Sequence, residues 1–257
     1  MVTGEWMNHK LYAIIMIMLP IPLLLVAERY WSKRKDWLLK PNELAEDGFW
    51  IAFGAFLWGP LISNSYTTPI SEGFRAILDR SPVDITIAPE TLLGLVGAAI
   101  FLRICSSFNY YWLHRVQHES LFFWRIHATH HDITKMSCMR GARTRPIEHL
   151  TLVLSTPIIL ALFGASDNVI AVSAVFGMWN GKLNHANPPL KSMPVYDWIF
   201  ATAQQHQVHH AHKREQADSN YGCNIILWDR LFGTYCGDTE VGQIGAGKPY
   251  RYRSKNN

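Results

Sequence analysis

Histidine is the residue type with the clearest chemical pattern in this sequence. The 257 residues include 12 histidines. Eight of them form one HxxxH and two HxxHH patterns: His114, His118, His127, His130, His131, His206, His209 and His210. Residues three and four positions apart on a helix point to the same face, so each pattern presents two or three imidazoles together. A ninth candidate, His185, stands alone between two asparagines.

Nine imidazoles in one chain predict two bound metal ions. Zinc accepts four ligands and an octahedral ion accepts six, so nine exceed what one ion can hold. The clusters contain no thiolate and no HExxH glutamate, which argues against a zinc protease and favours redox iron. A solvated helix face is the commoner explanation for one HxxxH pair. For an HxxHH pattern, however, chance alone predicts on the order of a few hundredths of one occurrence in a chain of this histidine content.

Acidic residues near the clusters are candidates for a supporting role. A carboxylate that accepts a hydrogen bond from the outer ring nitrogen fixes the tautomer of a metal-binding histidine. For each of these acids a plain surface charge is the alternative. The candidates are Glu119, Asp132, Glu148 and Asp229.

The order of these motifs resembles the fatty acid hydroxylase/sterol desaturase superfamily. HRxxH is followed by HxxHH, a membrane hairpin, an HxN step and a last HxxHH. After that come the stretches NYG at 220–222 and LWDRLFGT at 227–234. The resemblance covers about residues 108–235, half of the chain.

This resemblance implies a membrane-bound, non-haem di-iron oxygenase with O2 as co-substrate. Such an enzyme hydroxylates or desaturates an unactivated C–H bond of a lipid, such as a fatty acyl chain or a sterol. Its two iron ions lie in a cytoplasmic helical cap on a small transmembrane bundle. The ligands that the resemblance implies are His114, His118, His127, His130, His131, His185, His206, His209 and His210.

One position departs from the pattern of the superfamily. Many members carry Arg-x-His-Pro-x-Glu before the hairpin, whereas this chain has Arg145 in place of that histidine. A guanidinium stays protonated and cannot coordinate a metal. Three explanations follow: the position is not a ligand here, His149 replaces it one turn later, or Arg145 binds a substrate carboxylate or phosphate. We favour the first.

The composition indicates that membrane helices position these motifs. Apolar residues make up 49% and charged residues 17%, well below the roughly 25% charge of soluble domains. The four cysteines form no CxxC pair, so we expect reduced, mostly buried thiols rather than a zinc knuckle or redox dithiol. A net charge of +4 without a basic stripe argues against nucleic-acid binding.

Four apolar stretches are candidates for crossing the membrane, at residues 11–27, 48–71, 91–113 and 150–181. The last is interrupted at 164–167 by Gly, Ser and Asp, which predicts a helical hairpin. We therefore predict an all-α, integral-membrane bundle of about four to five transmembrane helices. A cleaved signal peptide is the alternative for 11–27, but its positive charges follow the apolar stretch instead of preceding it.

The loop charges predict the orientation of the bundle. Residues 29–40 hold five Lys or Arg, whereas residues 67–89 hold two, so the first loop is predicted to be cytoplasmic. Alternation then places every clustered histidine on that same side. We predict one domain over 1–257, with membrane helices in 1–90, a catalytic core in 91–236 and a basic tail in 237–257.

Several side chains within or beside the apolar stretches have two interpretations each. Arg103 is either a functional residue or a structural one that snorkels to the membrane interface or pairs with Asp47 or Glu28. The aromatic run 108–112 is a tunnel mouth or, as we favour, an interfacial belt. Residues 225–232 are expected to form an amphipathic helix at the membrane surface.

The electrons for the reaction must come from a separate protein. The sequence contains no GxGxxG, no CxxCH and no iron–sulfur cysteine spacing, so we expect a ferredoxin-, flavoprotein- or cytochrome-type donor. The basic tail could steer an acidic donor or contact anionic lipids. A bacterial inner membrane is the preferred location. A histidine-based metal transporter and a non-catalytic scaffold are the rival functions; transport is disfavoured because the clusters lie at or beyond the ends of the apolar stretches.

Overall fold

The computed structural model describes residues 15–81, 85–154, 156–191, 193–238 and 240–246, and it is helical throughout. Within these ranges the only β-type pairings are isolated bridges, so the all-α prediction is confirmed. The helices are α1 Pro20–Tyr30, α2 Pro41–Ala52, α3 Gly59–Ile62, α4 Thr68–Leu78, α5 Leu92–Glu119, α6 Leu121–His131, α7 Pro146–Val153, α8 Thr156–Phe163, α9 Asp167–His185, α10 Pro194–Ile199, α11 Ala203–His209, α12 Arg214–Ala217 and α13 Leu227–Leu231.

Among the described residues, two helical segments are long and apolar enough to cross a membrane. They are Leu92–Glu119 and Pro146–Phe163, each with a mean hydropathy of 1.6. Leu92 and Leu93, at the start of α5, expose 78% and 84% of their surface. Large apolar side chains exposed in this way need a lipid or protein neighbour. The finer count of four to five spans and the cytoplasmic position of the cap stay predictions.

The predicted stretch 48–71 lies inside a continuous helical run formed by α2, α3 and α4. Two π-helical segments, Phe53–Trp58 and Ser63–Thr67, join these helices. Each π segment comes just before a proline, Pro60 or Pro69. Because proline has no N–H to donate and its ring clashes with the preceding turn, the helix widens there. Part of the predicted stretch 11–27 lies outside the described residues.

The predicted break in the fourth apolar stretch lies between α8 and α9. Gly164 adopts a left-handed backbone with φ of +48°, which favours glycine because it has no Cβ. A Cβ at this position would also lie 2.6 Å from the carbonyl oxygen of Ile85. The chain therefore reverses at Gly164, and α9 returns towards the histidine clusters.

Arg103 lies on α5 and contacts α9. It donates a 2.7 Å hydrogen bond to the carbonyl oxygen of Ser173, and its guanidinium fills the space that Gly177 leaves open. The predicted pairing with Asp47 or Glu28 is wrong, since both of those acids instead bind the segment 137–140 that follows α6. Arg103 thus joins two helices within the bundle.

All four cysteines are free thiols, as expected from their spacing. The expectation that most are buried is wrong. Only Cys138 is buried, while Cys105, Cys223 and Cys236 are partly exposed. Two of the three, Cys223 and Cys236, lie in the loops around α13, which leave more side-chain surface uncovered than a helix core does.

A small apolar core includes the loop after α6. Trp37, Ile133, Met136 and Ile244 are all buried against one another. These residues come from the loop after α1, the loop after α6 and the carboxyl-terminal segment. Burial of apolar surface therefore fixes the loop after α6 against the segments around Trp37 and Ile244, and that loop directly follows one histidine cluster.

Candidate metal centre

The first two histidine clusters come from a pair of consecutive helices. His114 and His118 lie in the last turns of α5, and α6 begins after a single extended residue, Ser120. The chain therefore turns sharply and brings α6 back against the end of α5. The histidines of α6, which are three and four positions apart, then face those of α5. They are His127, His130 and His131.

The remaining candidates come from α9 and α11. His185 is the last residue of α9. A capping box formed by Thr202 and Gln205 begins α11, which satisfies its first backbone N–H groups. His206 and His209 follow within that helix, and the next residue ends it. That residue, His210, completes the second HxxHH pattern.

The structure brings all nine predicted histidines together, in two adjacent groups that could each hold a metal ion. Within each group the candidate ligand atoms lie within 4.8 Å of one another, and every residue is buried. Group one consists of His114, His118, His127, His131 and His209. Group two consists of His130, His185, His206 and His210.

The hydrogen bonds of group one determine where its ring protons lie. The Nδ1 atom of His114 is 2.7 Å from the carbonyl oxygen of Tyr221, and that of His209 is 2.8 Å from the carbonyl oxygen of Ser219. A carbonyl only accepts, so both Nδ1 atoms carry the proton and both neutral rings have a lone pair at Nε2. These Nε2 atoms lie 3.1 Å apart. Two facing lone pairs at this distance fit ligands of a common cation.

Several ring nitrogens lie as close to one another as nitrogens that bind the same ion. Nitrogens about 2.1 Å from one ion are about 3.0 Å apart at a right angle and about 3.4 Å apart at the tetrahedral angle. The Nε2 separations are 3.0 Å for His114 and His127, 3.1 Å for His114 and His209, 3.0 Å for His185 and His206, and 3.2 Å for His206 and His210. Nitrogens this close to one another fit ligands of a shared cation.

Five further ring nitrogens are buried and have no hydrogen-bond partner. They are Nε2 of His118 and His131, and Nδ1 of His130, His206 and His210. A buried polar atom without a partner costs about 1–3 kcal/mol, so such a concentration is rare in a native protein. Coordination to a metal ion would satisfy Nε2 of His118 and His131, whereas His206 and His210 already turn Nε2 towards the other rings of group two. The donor set therefore fits two metal ions.

Burial keeps these histidines in the neutral form that a metal requires. Desolvation lowers the pKa of His130 to about 4. Burial also holds the pKa values of four other histidines well below the usual 6.5, and the charges of neighbouring histidines add to this effect. These four are His127, His131, His206 and His210. Metal binding then needs no proton release from these groups at neutral pH.

One of the four predicted supporting acids contacts a histidine ring directly. Glu148, which is fully buried, lies 2.6 Å from Nδ1 of His127. Asp218 was missed by the sequence analysis, although its Oδ1 lies 3.4 Å from Nδ1 of His118. No motif spacing relates residue 218 to the first cluster, because the two are 100 residues apart. A loop brings them together.

Asp229 supports the site through the backbone instead of through a histidine. Its two oxygens accept 2.7 Å hydrogen bonds from the N–H groups of Tyr221 and Gly222. Burial raises the pKa of Asp229 to about 6 against the lowering effect of these bonds. The expected amphipathic helix 225–232 is thus wrong in detail: α13 is shorter, and its acid points inward. Of the other two acids, Glu119 accepts from Arg115 and Asp132 lines a polar cavity.

The NYG stretch shapes the loop that supplies two of the carbonyl oxygens. Asn220 has a φ of +53°, a left-handed conformation that asparagine tolerates better than most residues. A Cβ at Gly222 would lie 2.8 Å from Oδ2 of Asp229, so only glycine fits. This turn directs the carbonyls of Ser219 and Tyr221 towards two different histidines. The sequence motif alone does not indicate this role.

Residue 145, where the chain departs from the pattern of the superfamily, lies outside both histidine groups. Arg145 donates a 2.7 Å hydrogen bond to Oγ1 of Thr129, which belongs to α6. His149 is half-buried on α7 and is in neither histidine group. This arrangement supports the explanation that residue 145 is not a ligand in this chain.

Comparison with known proteins places the chain in a family. The model of the family described as fatty acid hydroxylase matches residues 99–234, slightly more than half of the chain. The chain belongs to the fatty acid hydroxylase family. The matched residues include all nine histidines and the loop that supports them. No solved structure matches the chain.

Relatives of this family member are lipid-modifying enzymes by name. Ornithine lipid hydroxylase OlsE of Rhizobium tropici is 27% identical over 233 residues, which cover 88% of this chain and 68% of that protein. Alkylglycerol monooxygenase of Xenopus tropicalis is 30% identical over 143 residues, covering 55% of this chain and 31% of the relative. Fatty acid hydroxylase vlmA of a Lecanicillium species is 29% identical over 214 residues, covering 73% and 57%. The chain thus spans from a third to two thirds of these relatives.

Proposed function

We propose that this protein is a membrane-bound, non-haem di-iron oxygenase that hydroxylates an unactivated C–H bond of a lipid. The observation that carries the proposal is the pair of adjacent, buried, histidine-only groups with converging nitrogens. Imidazole donors without thiolates suit redox iron. The family and its lipid hydroxylase and monooxygenase relatives agree with this chemistry.

The chain itself holds and shields the metals. Group one and group two would each bind one iron, and the bound irons would supply O2 activation. Glu148 and the carbonyls of Tyr221 and Ser219 hold their histidine rings in one tautomer and orientation. All nine rings are buried, which keeps water away from the reacting C–H bond.

The substrate class is a lipid taken from the bilayer. The names of the relatives specify an ornithine lipid, alkylglycerol, a fatty acid and methylsterol. A fatty acyl chain or a sterol fits the apolar surroundings of α5 and the hairpin. Hydroxylation is preferred to desaturation, because these relatives are named hydroxylases and monooxygenases. The location proposed is a bacterial inner membrane, with the histidines on the cytoplasmic side.

A separate electron donor of the ferredoxin, flavoprotein or cytochrome type is part of this proposal. A polar cavity of about 740 Å³, lined by Arg34, Arg140 and Arg143 among others, opens beside group two. Its wall is close to the metal centre, since Gly245 donates to the carbonyl of His210. The lining also carries four acids, Asp36, Glu43, Glu46 and Asp132, so its charge alone does not select an acidic donor. Most of the predicted basic tail 237–257 lies outside the described residues.

Metal content tests the proposal directly. The protein would be purified in nanodiscs, loaded anaerobically with Fe(II) and measured by plasma mass spectrometry and Mössbauer spectroscopy. We expect close to two irons per chain and a coupled diferric signal after exposure to O2. His149→Ala, which changes a histidine outside both groups, is the matched control and should keep both irons. Zero or one iron in the wild type would refute the di-iron assignment and favour a transporter or scaffold.

Isotope labelling tests the reaction itself. The iron-loaded protein would be supplied with 18O2, a reductant, a ferredoxin reductase pair and total bacterial lipid. Hydroxylation predicts a lipid product heavier by one labelled oxygen atom, whereas desaturation predicts loss of two hydrogens without label. Two irons without any oxidised lipid would contradict the lipid oxygenase.

A further inference from the structure

An exposed apolar segment lies between the end of α9 and the start of α11. In this segment Leu190, Met193, Val195 and Trp198 expose between 53% and 78% of their surface. The only exposed charged residue among the described residues of 189–198 is Lys191. Such a density of exposed apolar side chains is not typical of a surface that faces water.

The same surface continues onto α13. Leu231 exposes 62% and Phe232 exposes 39%. Arg230 joins α13 to α10, since its Nε donates a 3.1 Å hydrogen bond to the carbonyl oxygen of Trp198 and its guanidinium lies 5.7 Å from the Trp198 ring centre. The two short helices therefore form one face. We call this face the seating surface; it consists of Leu190, Met193, Val195, Trp198, Leu231 and Phe232.

The seating surface is continuous with a membrane-spanning helix. The ring of Phe232 lies 5.0 Å from that of Trp112 on α5, and the ring of Trp228 lies 5.0 Å from that of Phe108. Phe108 and Trp112 are themselves partly exposed. Because α5 is one of the two segments able to cross a membrane, the apolar surface of the span passes without interruption onto α13 and α10.

We propose that the seating surface inserts into the lipid leaflet next to the metal centre, as an in-plane membrane contact. Its apolar side chains and aromatic rings are those that enter the boundary between headgroups and acyl chains. Lys191 and Arg230 are positive and suit anionic lipid headgroups, while Asp197 on α10 is partly buried and accepts from the N–H of Met193. The partner is thus a bilayer leaflet, and the contact is additional to the spanning helices.

This contact fixes the depth of the metal centre. Trp112 precedes His114 by two residues, which is about 3 Å along a helix axis. With Trp112 and Phe232 at the boundary of the leaflet, the histidines lie immediately above it. A lipid then reaches the metals without leaving the bilayer, a consequence that rests on the proposed oxygenase function.

Depth-dependent quenching tests the insertion without any activity measurement. Val195→Cys and Leu231→Cys would be labelled with an environment-sensitive thiol fluorophore in nanodiscs of phosphatidylethanolamine and phosphatidylglycerol. Lys213→Cys, at an exposed position outside the seating surface, is the matched control, and the labelled parent gives the background of the native thiols. We expect lipids with brominated acyl chains to quench positions 195 and 231 but not 213. Quenching by aqueous iodide equal to that at position 213 would overturn the proposal.

A kinetic experiment tests the consequence for the substrate. The double variant Val195→Lys/Leu231→Lys should keep two irons, and its apparent KM for a lipid within nanodiscs should rise about tenfold. Val195→Leu/Leu231→Met, which keeps the surface apolar, should behave as the wild type. An unchanged KM in nanodiscs would overturn the role in substrate access. Failure of the wild type to oxidise any lipid would refute the proposed function. The quenching experiment would still test the insertion, because it does not depend on activity.

Discussion

The two histidine groups differ in the hydrogen-bond acceptors that their Nδ1 atoms contact. In group one, four of five histidines have an acceptor at Nδ1: a carbonyl for His114 and His209, and a carboxylate for His118 and His127. In group two only His185 has an acceptor at Nδ1, the carbonyl of Gly181, although His130 also bonds to the backbone of Arg143. The Nδ1 atoms of the other three, His130, His206 and His210, are buried without a partner.

This difference indicates that the two sites have different rigidity. Partners behind a ligand fix its orientation and raise its basicity, and their loss typically costs about 10–100-fold in metal affinity. Group one is therefore preorganised, with five candidate ligands in place. Group two has four ligands and less support, so it has more open positions and holds its ion less tightly. We expect the first equivalent of iron to occupy group one.

Removing one ligand from each group is the strongest test of this asymmetry. His206→Ala leaves three histidines in group two and should abolish its binding, so that one iron remains. His127→Ala leaves four histidines in group one, which should bind iron weakly. Both variants should lose more activity than the about 10–100-fold typical of outer partners. Iron per chain and lipid oxidation are the measurements, with His149→Ala as the control.

The reverse result would contradict the comparison. If His206→Ala kept two irons and His127→Ala kept only one, group two would be the tighter site. The asymmetry of hydrogen bonding would then carry no weight in metal binding.

Replacing the acid behind group one should have the next largest effect. Glu148→Gln keeps the size of the side chain but removes the carboxylate that lies 2.6 Å from His127. We expect a loss of about 10–100-fold in iron affinity, confined to group one. Asp218→Asn should cost less, because its contact with His118 is longer, at 3.4 Å. Iron titration followed by Mössbauer spectroscopy separates the two sites, and an equal loss in both would refute the assignment.

The sequence predicts the ligands far better than it predicts their support. Spacing alone brings His127, His130 and His131 to one face, because helical periodicity is local. Glu148 was predictable as an acid near the clusters. Asp218 and the carbonyls of Ser219 and Tyr221 were not, since backbone acceptors have no residue signature and the loop is fixed by contacts distant in sequence.

The fold shows the same division between local and non-local information. The break at Gly164 follows from turn chemistry that the sequence displays directly. The inward position of Asp229 does not, because a buried carboxylate and an exposed one look alike in an amphipathic pattern. Arg103 likewise binds a backbone carbonyl, and helical periodicity does not reveal which neighbouring helix provides it.

Group two can be disturbed selectively through the glycine that packs on it. A Cβ at Gly141 would lie 2.8 Å from Nδ1 of His185, closer than such atoms approach, so Gly141→Ala should displace that ring. We expect about tenfold weaker iron binding in group two, comparable to loss of an outer partner, with group one unchanged. Gly181→Ala is the matched control, because a Cβ there meets nothing within 4 Å. Equal iron affinities in both variants would show that the packing of Gly141 does not matter.

The smallest expected effect concerns the ion pairs that hold the loop carrying Gly141. Burial alone raises the pKa of Glu43, but hydrogen bonds from Lys135 and the Lys40 N–H, and the charges of Lys135 and Arg140, outweigh it and lower the pKa to about 2. A carboxyl whose pKa falls on folding stabilises the folded state above its unfolded value of 4.5, and this contribution disappears as the pH falls towards 2.

Glu43→Gln removes this pH-dependent contribution. Because the ion pairs of Glu43 are partly exposed, the substitution should lower the free energy of unfolding at pH 7 by less than about 1 kcal/mol. The difference in unfolding free energy between wild type and variant should vanish as the pH falls from 4.5 towards 2. Arg140 precedes Gly141, so a looser loop should also speed iron release from group two alone. Denaturant unfolding at several pH values and iron release to a chelator measure both effects. Glu46→Gln, which breaks the more exposed pair with Arg143, is the control. A pH-independent difference, or faster release from group one, would show that this loop does not support group two.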